Sequence, residues 1–232
     1  MDIEIELHSR QIDLSTSEQS LAQAASSRKV MRDQFQAQLA GKATSYSPAG
    51  VLKVSSRALK VMVQKYSEQL VYKPFEELGF WFSYYSGVFL DPGYPPLFYY
   101  SRSGPKQKPL ANKSAVAALG EGVAGLAMQR VRHARKLARP IHDYPDIVMV
   151  EDRTLYLVEA KATTESAVKI QQVLEDELVR MSVYISACVS LEPRSTLHGV
   201  LIGTALIEKN VVRHTSQRLL YESRYLISAL SD

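Results

Sequence analysis

The 232-residue sequence predicts an α/β protein, a mixed sheet flanked by helices and preceded by a helical and aromatic-rich extension. Three observations predict it. From Ser114 onward, segments with helical spacing alternate with short apolar runs in the order α-β-β-α-β-α. Two of those runs, PDIVMV and TLYLVEAKA, are separated by no more than a tight turn. The composition, 46% hydrophobic and 22% charged, is that of an ordinary globular chain, long enough to bury one large core or a core with an appended subdomain. Residues 1–112 are expected to form the extension and residues 113–232 the α/β core.

In chain order, MDIEIEL alternates acidic and apolar residues and lacks the basic segment of a signal peptide, so a cytoplasmic location is expected. Ser15 followed by Glu18 is a capping-box signal, and the Gln- and Ala-rich stretch from Thr16 to Ala40 is expected to form one long helix ending at Gly41. ATSYSPAG, residues 43–50, reads as a linker. A helix from Ser55 to about Tyr72 follows, with Leu59, Met62, Val63, Tyr66 and Leu70 at helical spacing. The aromatic segment from Phe75 to Pro109 is broken by Gly and Pro and is expected to form short strands or an ordered loop. Its tyrosines fit an aromatic packing cluster or a base-stacking surface. A helix is expected from Ser114 to about Leu137, and the runs opening at Pro145 and Thr154 form two strands. A long helix follows over 165–189, then a strand over 198–208 and a closing helix over 216–230. The longest apolar stretch, Gly199 to Ile207, is far below the roughly 20 residues of a spanning helix.

Several chemistries are excluded by composition. The one cysteine, Cys188, rules out an intrachain disulfide and a multi-cysteine zinc site, and VYISACV reads as buried core. His133, His142, His198 and His214 have no metal-ligand spacing, and neither a G-x-S-x-G nor a P-loop occurs. The net charge of +4 permits a polyanionic partner. In QRVRHARKLAR, residues Arg132, Arg135, Lys136 and Arg139 fall at i, i+3, i+4, i+7, which on a helix makes one basic stripe. Such a stripe fits phosphate contact or a solvated face.

The strongest signal lies in YPDIVMVEDRTLYLVEAKAT, residues 144–163. A hairpin turning at Asp152 and Arg153 pairs Glu151 with Thr154, Val150 with Leu155 and Val148 with Leu157, and so brings Asp146 opposite Glu159. Opposed residues have Cβ atoms about 4.5–5.5 Å apart, and two like charges so placed destabilise a sheet unless a cation sits between them. Hard oxygen donors at that separation suit Mg²⁺, which keeps several waters and takes its remaining ligands from phosphate. Lys161, two residues beyond Glu159, points to the same face.

At these residues the chain resembles the PD-(D/E)XK nuclease superfamily: Pro145 and Asp146 match the first half of its motif, and Glu159, Ala160 and Lys161 the second. The resemblance covers residues 114–208. It implies a restriction-endonuclease-like fold with core order α-β-β-β-α-β, which leaves the strand before Asp146 to the short Pro140–Tyr144 stretch. It further implies Mg²⁺, with Mn²⁺ as a substitute, held by Asp146, Glu159 and the Ala160 carbonyl, with Glu121 of the preceding helix assisting. Small neighbours, Ala117, Ala118, Ala124 and Gly125, would let that helix approach a sheet closely. Lys161 would act on the attacking water, and Gln171 and Gln172 on the next helix fit substrate contact or plain solvation. The implied activity is phosphodiester hydrolysis in DNA rather than RNA, endonucleolytic, in defence, restriction or repair. Two other classes compete with it: a non-catalytic nucleic-acid-binding module, and an assembly protein forming homodimers or larger assemblies through its N-terminal region.

Overall fold

The alternating acidic and apolar residues at the start of the chain form a strand, β1 (Asp2–Leu14), which puts Ile3, Ile5 and Leu7 into one core and Ile12 and Leu14 into another. The computed structural model describes residues 2–42, 45–69, 71, 73–85, 111–140, 144–189, 196–209 and 218–230. Ser15 then caps a helix through the expected capping box: its amide donates to Glu18 Oε2 at 2.7 Å.

The expected single long helix is two, α1 (Thr16–Ala25) and α2 (Lys29–Lys42). At the break, the hydroxyls of Ser26 and Ser27 donate to the carbonyls of Gln23 and Ala24, the local bond by which serine competes with a continuing helix. Part of the expected linker is a strand, β2 (Ser47–Ser55), paired antiparallel with β1. Helix α3 (Ser56–Tyr66) starts where expected, Ser55 accepting from the Ala58 amide, but ends at Tyr66; Leu70 and Tyr72 lie outside the described residues. The aromatic segment opens with a helix, α4 (Pro74–Tyr85), rather than strands or a loop. Proline in the first turn costs no hydrogen bond, and Glu76 and Glu77 complement the positive helix end. The rest of that segment, residues 86–110, lies outside the described residues, as do the stacking tyrosines in it.

Asn112 caps α5 (Lys113–Val131), accepting from Ser114 and Ala115 amides. The helix stops six residues earlier than expected because His133 takes a left-handed φ of 50° and the Ala134 amide turns back to the Met128 carbonyl. A short edge strand follows, β3 (Arg135–Ala138), then β4 (Ile147–Glu151), β5 (Thr154–Thr163), α6 (Ala167–Val189) and β6 (Thr196–Lys209). The order from α5 to β6 is α-β-β-β-α-β. Its first strand lies inside the basic run, not at Pro140–Tyr144. The expected closing helix is instead a strand, β7 (Arg218–Leu230), hydrogen-bonded on both sides by β1 and β6, so long-range pairing overrides its local helical pattern.

All strands join one mixed sheet in the order β2-β1-β7-β6-β5-β4-β3. The sheet therefore runs without interruption across the boundary expected near residue 112. Helices α3 and α5 cover one face, where Val63, Leu119, Val123, Val158 and Ile202 are buried together. Helices α1, α2 and α6 cover the other, over Phe35, Leu157, Leu174, Ile185 and Leu201. Gly203 lets α6 sit close to β6, since a Cβ there would come within 2.6 Å of Ile170. On the opposite face Gly120 does the same for α5, against Ala162. Cys188, expected in the buried core, is only partly buried at its edge. Among the described residues no helix is long and apolar enough to cross a membrane.

Candidate active site

The β4–β5 hairpin has the expected register: Glu151 pairs with Thr154, Val150 with Leu155 and Val148 with Leu157. Asp152 takes the left-handed φ of 51° that a two-residue turn requires and that Asp tolerates. Continuing that register brings Asp146, just before β4, against Glu159 of β5. The contact is a reciprocal pair of hydrogen bonds: the Asp146 amide donates to Glu159 Oε2 at 3.1 Å, and the Ala160 amide donates to Asp146 Oδ2 at 2.7 Å. Lys161 Nζ donates to Glu159 Oε1 at 2.6 Å, on the same face, as strand periodicity requires. Asp146, Glu159, Ala160 and Lys161 thus come together as expected.

Strand alternation also decides which helix shares the site. Ala160 and Ala162 pack toward α5, whereas Glu159 and Lys161 point toward α6. There Glu177 Oε1 lies 3.5 Å from Lys161 Nζ, and Glu177 Oε2 is buried without a hydrogen-bond partner, 3.8 Å from Arg180. Tyr144 closes the cluster, its hydroxyl likewise buried and without a partner, its ring under the Arg180 guanidinium at 4.2 Å. Sequence reasoning missed Glu177, Arg180 and Tyr144. One signal was present: Glu177 adjoins the apolar stripe Leu174, Leu178, Met181 and Ile185, where a carboxylate needs a partner.

The cluster is short of positive charge. Glu159 is 1% exposed, and burial together with the Asp146 charge pushes its pKa up to about 7, although the Lys161 bond works the other way. Burial also raises Asp146, offset in part by the Ala160 amide. For Lys161 burial opposes the charge, but the bond to Glu159 and the surrounding acids outweigh it and hold the ammonium above its usual pKa. The Tyr144 hydroxyl is held well above the ordinary phenol range by burial and then by the nearby carboxylates. Buried Glu159 and partly buried Asp146 present adjacent hard oxygen donors, the type that divalent cations such as Mg²⁺ take. Among the described residues no group of three or more His, Cys, Asp or Glu could hold a metal ion. Such a cation would therefore rest on two carboxylates, the Ala160 carbonyl, water and substrate.

Glu121 does not join this group. It is 5% exposed, so it is no solvated acid, but its carboxylate is tied elsewhere: Oε2 accepts from Arg139 at 3.0 Å and from the Glu68 amide at 2.8 Å. Its charge still reaches Asp146, whose pKa it helps to raise.

The basic stripe is not a stripe. Arg132 caps the end of α5, Arg135 and Lys136 lie on β3, and Arg139 follows it. Lys136 donates to the Lys65 carbonyl at 2.9 Å, and Arg139 bonds Glu68, the Tyr66 carbonyl and Glu121, so both cations serve the protein itself. Arg132 has its Nε buried without a hydrogen-bond partner, and Arg135 alone of the four is exposed. Gln172 is exposed and Gln171 partly buried, both on the first turns of α6. No family model, no curated protein and no solved structure matches the chain.

Proposed function

We propose that the chain is a metal-dependent nuclease that hydrolyses phosphodiester bonds in nucleic acid, DNA before RNA, by the chemistry of the PD-(D/E)XK superfamily. The observation that carries this reading is the junction at Asp146 and Glu159. A buried carboxylate, Glu159, meets a partly buried one, Asp146, at the end of a hairpin, with Lys161 Nζ 2.6 Å from Glu159. The α-β-β-β-α-β order from α5 to β6 supports it, because that order is the one the resemblance implies.

In this reading Asp146, Glu159 and the Ala160 carbonyl hold Mg²⁺, or Mn²⁺ in its place. A bound divalent ion supplies Lewis acidity toward a phosphate oxygen and lowers the pKa of water. The chain supplies the rest. Lys161 orients the attacking water and offsets charge that gathers on the phosphate as the new P–O bond forms and the old one breaks. Glu177, 3.5 Å from the ammonium, would keep Lys161 at the site with Glu159 committed to a cation. Tyr144 and the apolar residues under α6 exclude bulk water from that side.

The test is incubation of the purified chain with supercoiled plasmid, linear duplex and single strands, each with Mg²⁺ and with EDTA. Cleavage that requires the divalent ion supports the proposal. Binding of nucleic acid with no cleavage under any divalent ion would replace it with a non-catalytic binding module.

A further inference from the structure

Beside the acid cluster lies a cleft for which the chemistry above has no use. It is about 460 Å³ in volume and runs between α2 and the outer face of α6. Arg32 and Gln36 of α2 line one side, Arg180 and Tyr184 of α6 the other, with Val183 adding apolar surface and Asp176 one acid. Arg32 and Gln36 are exposed, and among the described residues Arg32 pairs with no acid. Tyr184 is 36% exposed.

The cleft connects to the acid pair through a run of side chains. Two residues before Asp146, the Tyr144 ring meets the Tyr184 ring edge-on, centroids 5.4 Å apart at 70°. The Arg180 guanidinium lies over the same Tyr144 ring and faces Glu177 on its other side. Arg180 is half-exposed, so it belongs to both the cluster and the cleft. An aromatic ring, two arginines, an amide and an apolar wall make an unusual combination for plain solvated surface. It matches one polymer well: a chain that alternates flat bases with singly charged phosphates.

We propose that this cleft binds an unpaired segment of nucleic acid, one base stacking on Tyr184 and the flanking phosphates paired with Arg180 and Arg32. A duplex does not fit this role. Its bases are stacked inward and cannot meet Tyr184, and the volume is that of a small-molecule site, within the roughly 300–1,000 Å³ such sites span. The cleft would thus make the enzyme proposed above select single-stranded ends, gaps or extruded nucleotides. The selectivity rests on that reading; the binding itself does not.

The experiment is fluorescence anisotropy in EDTA with labelled short single strands of DNA and RNA and a DNA duplex of equal length. Single strands should bind more tightly than duplex. Tyr184→Ala should weaken single-strand affinity by roughly 5- to 100-fold, the worth of one base–aromatic stack. Arg32→Gln, an exposed change that cannot upset the core, should lower the salt slope on single strands by about 0.7, because one phosphate fewer is neutralised on binding. Duplex affinity should be unmoved by either. Unchanged single-strand binding in both variants would overturn the proposal, as would equal weakening on duplex. Displacement of the oligonucleotide by an acidic peptide of the same charge would also overturn it, since the cleft would then read charge alone. If both variants behave as expected and the wild-type chain cleaves nothing with Mg²⁺, the nuclease reading falls and the cleft stands.

Discussion

Two buried acids lie near the start of β4, and their surroundings differ in one respect that decides what each can do. Glu121 binds the Arg139 guanidinium, which also pairs with the Glu68 carboxylate, and accepts from the Glu68 amide, so its oxygens are held by donors of the fold. Glu159 shares the Lys161 ammonium with Glu177 and lies against Asp146, so it has no cation to itself. A carboxylate held by an arginine and a main-chain amide ties elements together, here α5 to the chain that follows α3. Carboxylates pressed against one another, as Glu159 and Asp146 are, are left able to take a cation. The difference separates a structural tie from a site, although both acids are almost wholly buried.

The largest effects should come from the under-neutralised cluster. Asp146→Asn keeps an oxygen to accept the Ala160 amide but removes one charge of the pair. Cleavage should fall below detection, Mn²⁺ titration calorimetry should lose its binding event, and the metal-free protein should melt no lower than wild type. Equal metal binding in the variant would mean that Asp146 and Glu159 do not share a cation. Lys161→Ala should act differently, lowering the single-turnover rate by about 10²–10⁴-fold while Ca²⁺-supported substrate binding persists. Arginine should rescue it poorly, because a guanidinium is larger and does not release its proton. Turnover like wild type would take Lys161 out of the site.

A pH titration tests the same contrast without any substrate. The Glu159 carboxyl is raised from 4.5 to about 7 in the folded chain. Between those values the folded chain binds more protons than the unfolded one, so stability must fall as pH rises through that window and stay low above it. The full loss is up to about 3 kcal/mol. Thermal melts in EDTA from below pH 4.5 to above pH 7 should show the decline, and saturating Mg²⁺ should flatten it, because the cation then stabilises the ionised form. A Glu159→Gln variant should lack most of the slope. A wild-type profile that is flat in EDTA would mean that the charge of Glu159 is fully answered within the fold.

What could be read from the chain follows the range of the interactions involved. The hairpin was legible because its register is set by a two-residue turn and by alternation, both contained in residues 146–161. Ser15, Ser55 and Asn112 each end or begin an element through bonds to residues at most three positions away, and the first two are visible as sequence. The central strand β7 has a helical pattern in sequence because what makes it a strand is pairing with β1, more than 200 residues away. Glu121 reads as a metal ligand for the same kind of reason: its real partners come from residues 68 and 139, and alternation along β5 sends Glu159 to the opposite face from α5. The basic run departs from a helix at one residue, His133, whose left-handed backbone turns four cations at helical spacing into an edge strand and its flanks.

The smallest expected effect belongs to Glu121, and it tests the comparison from the other side. Glu121→Gln keeps the shape and an oxygen for the Glu68 amide, but leaves Arg139, 15% exposed, with Glu68 as its remaining acid. A hydrogen bond to a charged group contributes about 1.5–3 kcal/mol, and the surviving Glu68 partner should hold the loss toward the low end. The variant should therefore melt lower than wild type while retaining single-turnover cleavage within about tenfold, since the charge it removes lies outside the Asp146–Glu159 pair. Arg139→Gln should cost stability in the same way, and the double variant should cost less than the sum of the two, because both changes remove one shared ion pair. A melting point unchanged by Glu121→Gln, with cleavage reduced as far as by Lys161→Ala, would reverse the assignment. Glu121 would then leave Arg139 and turn toward the cation when substrate binds.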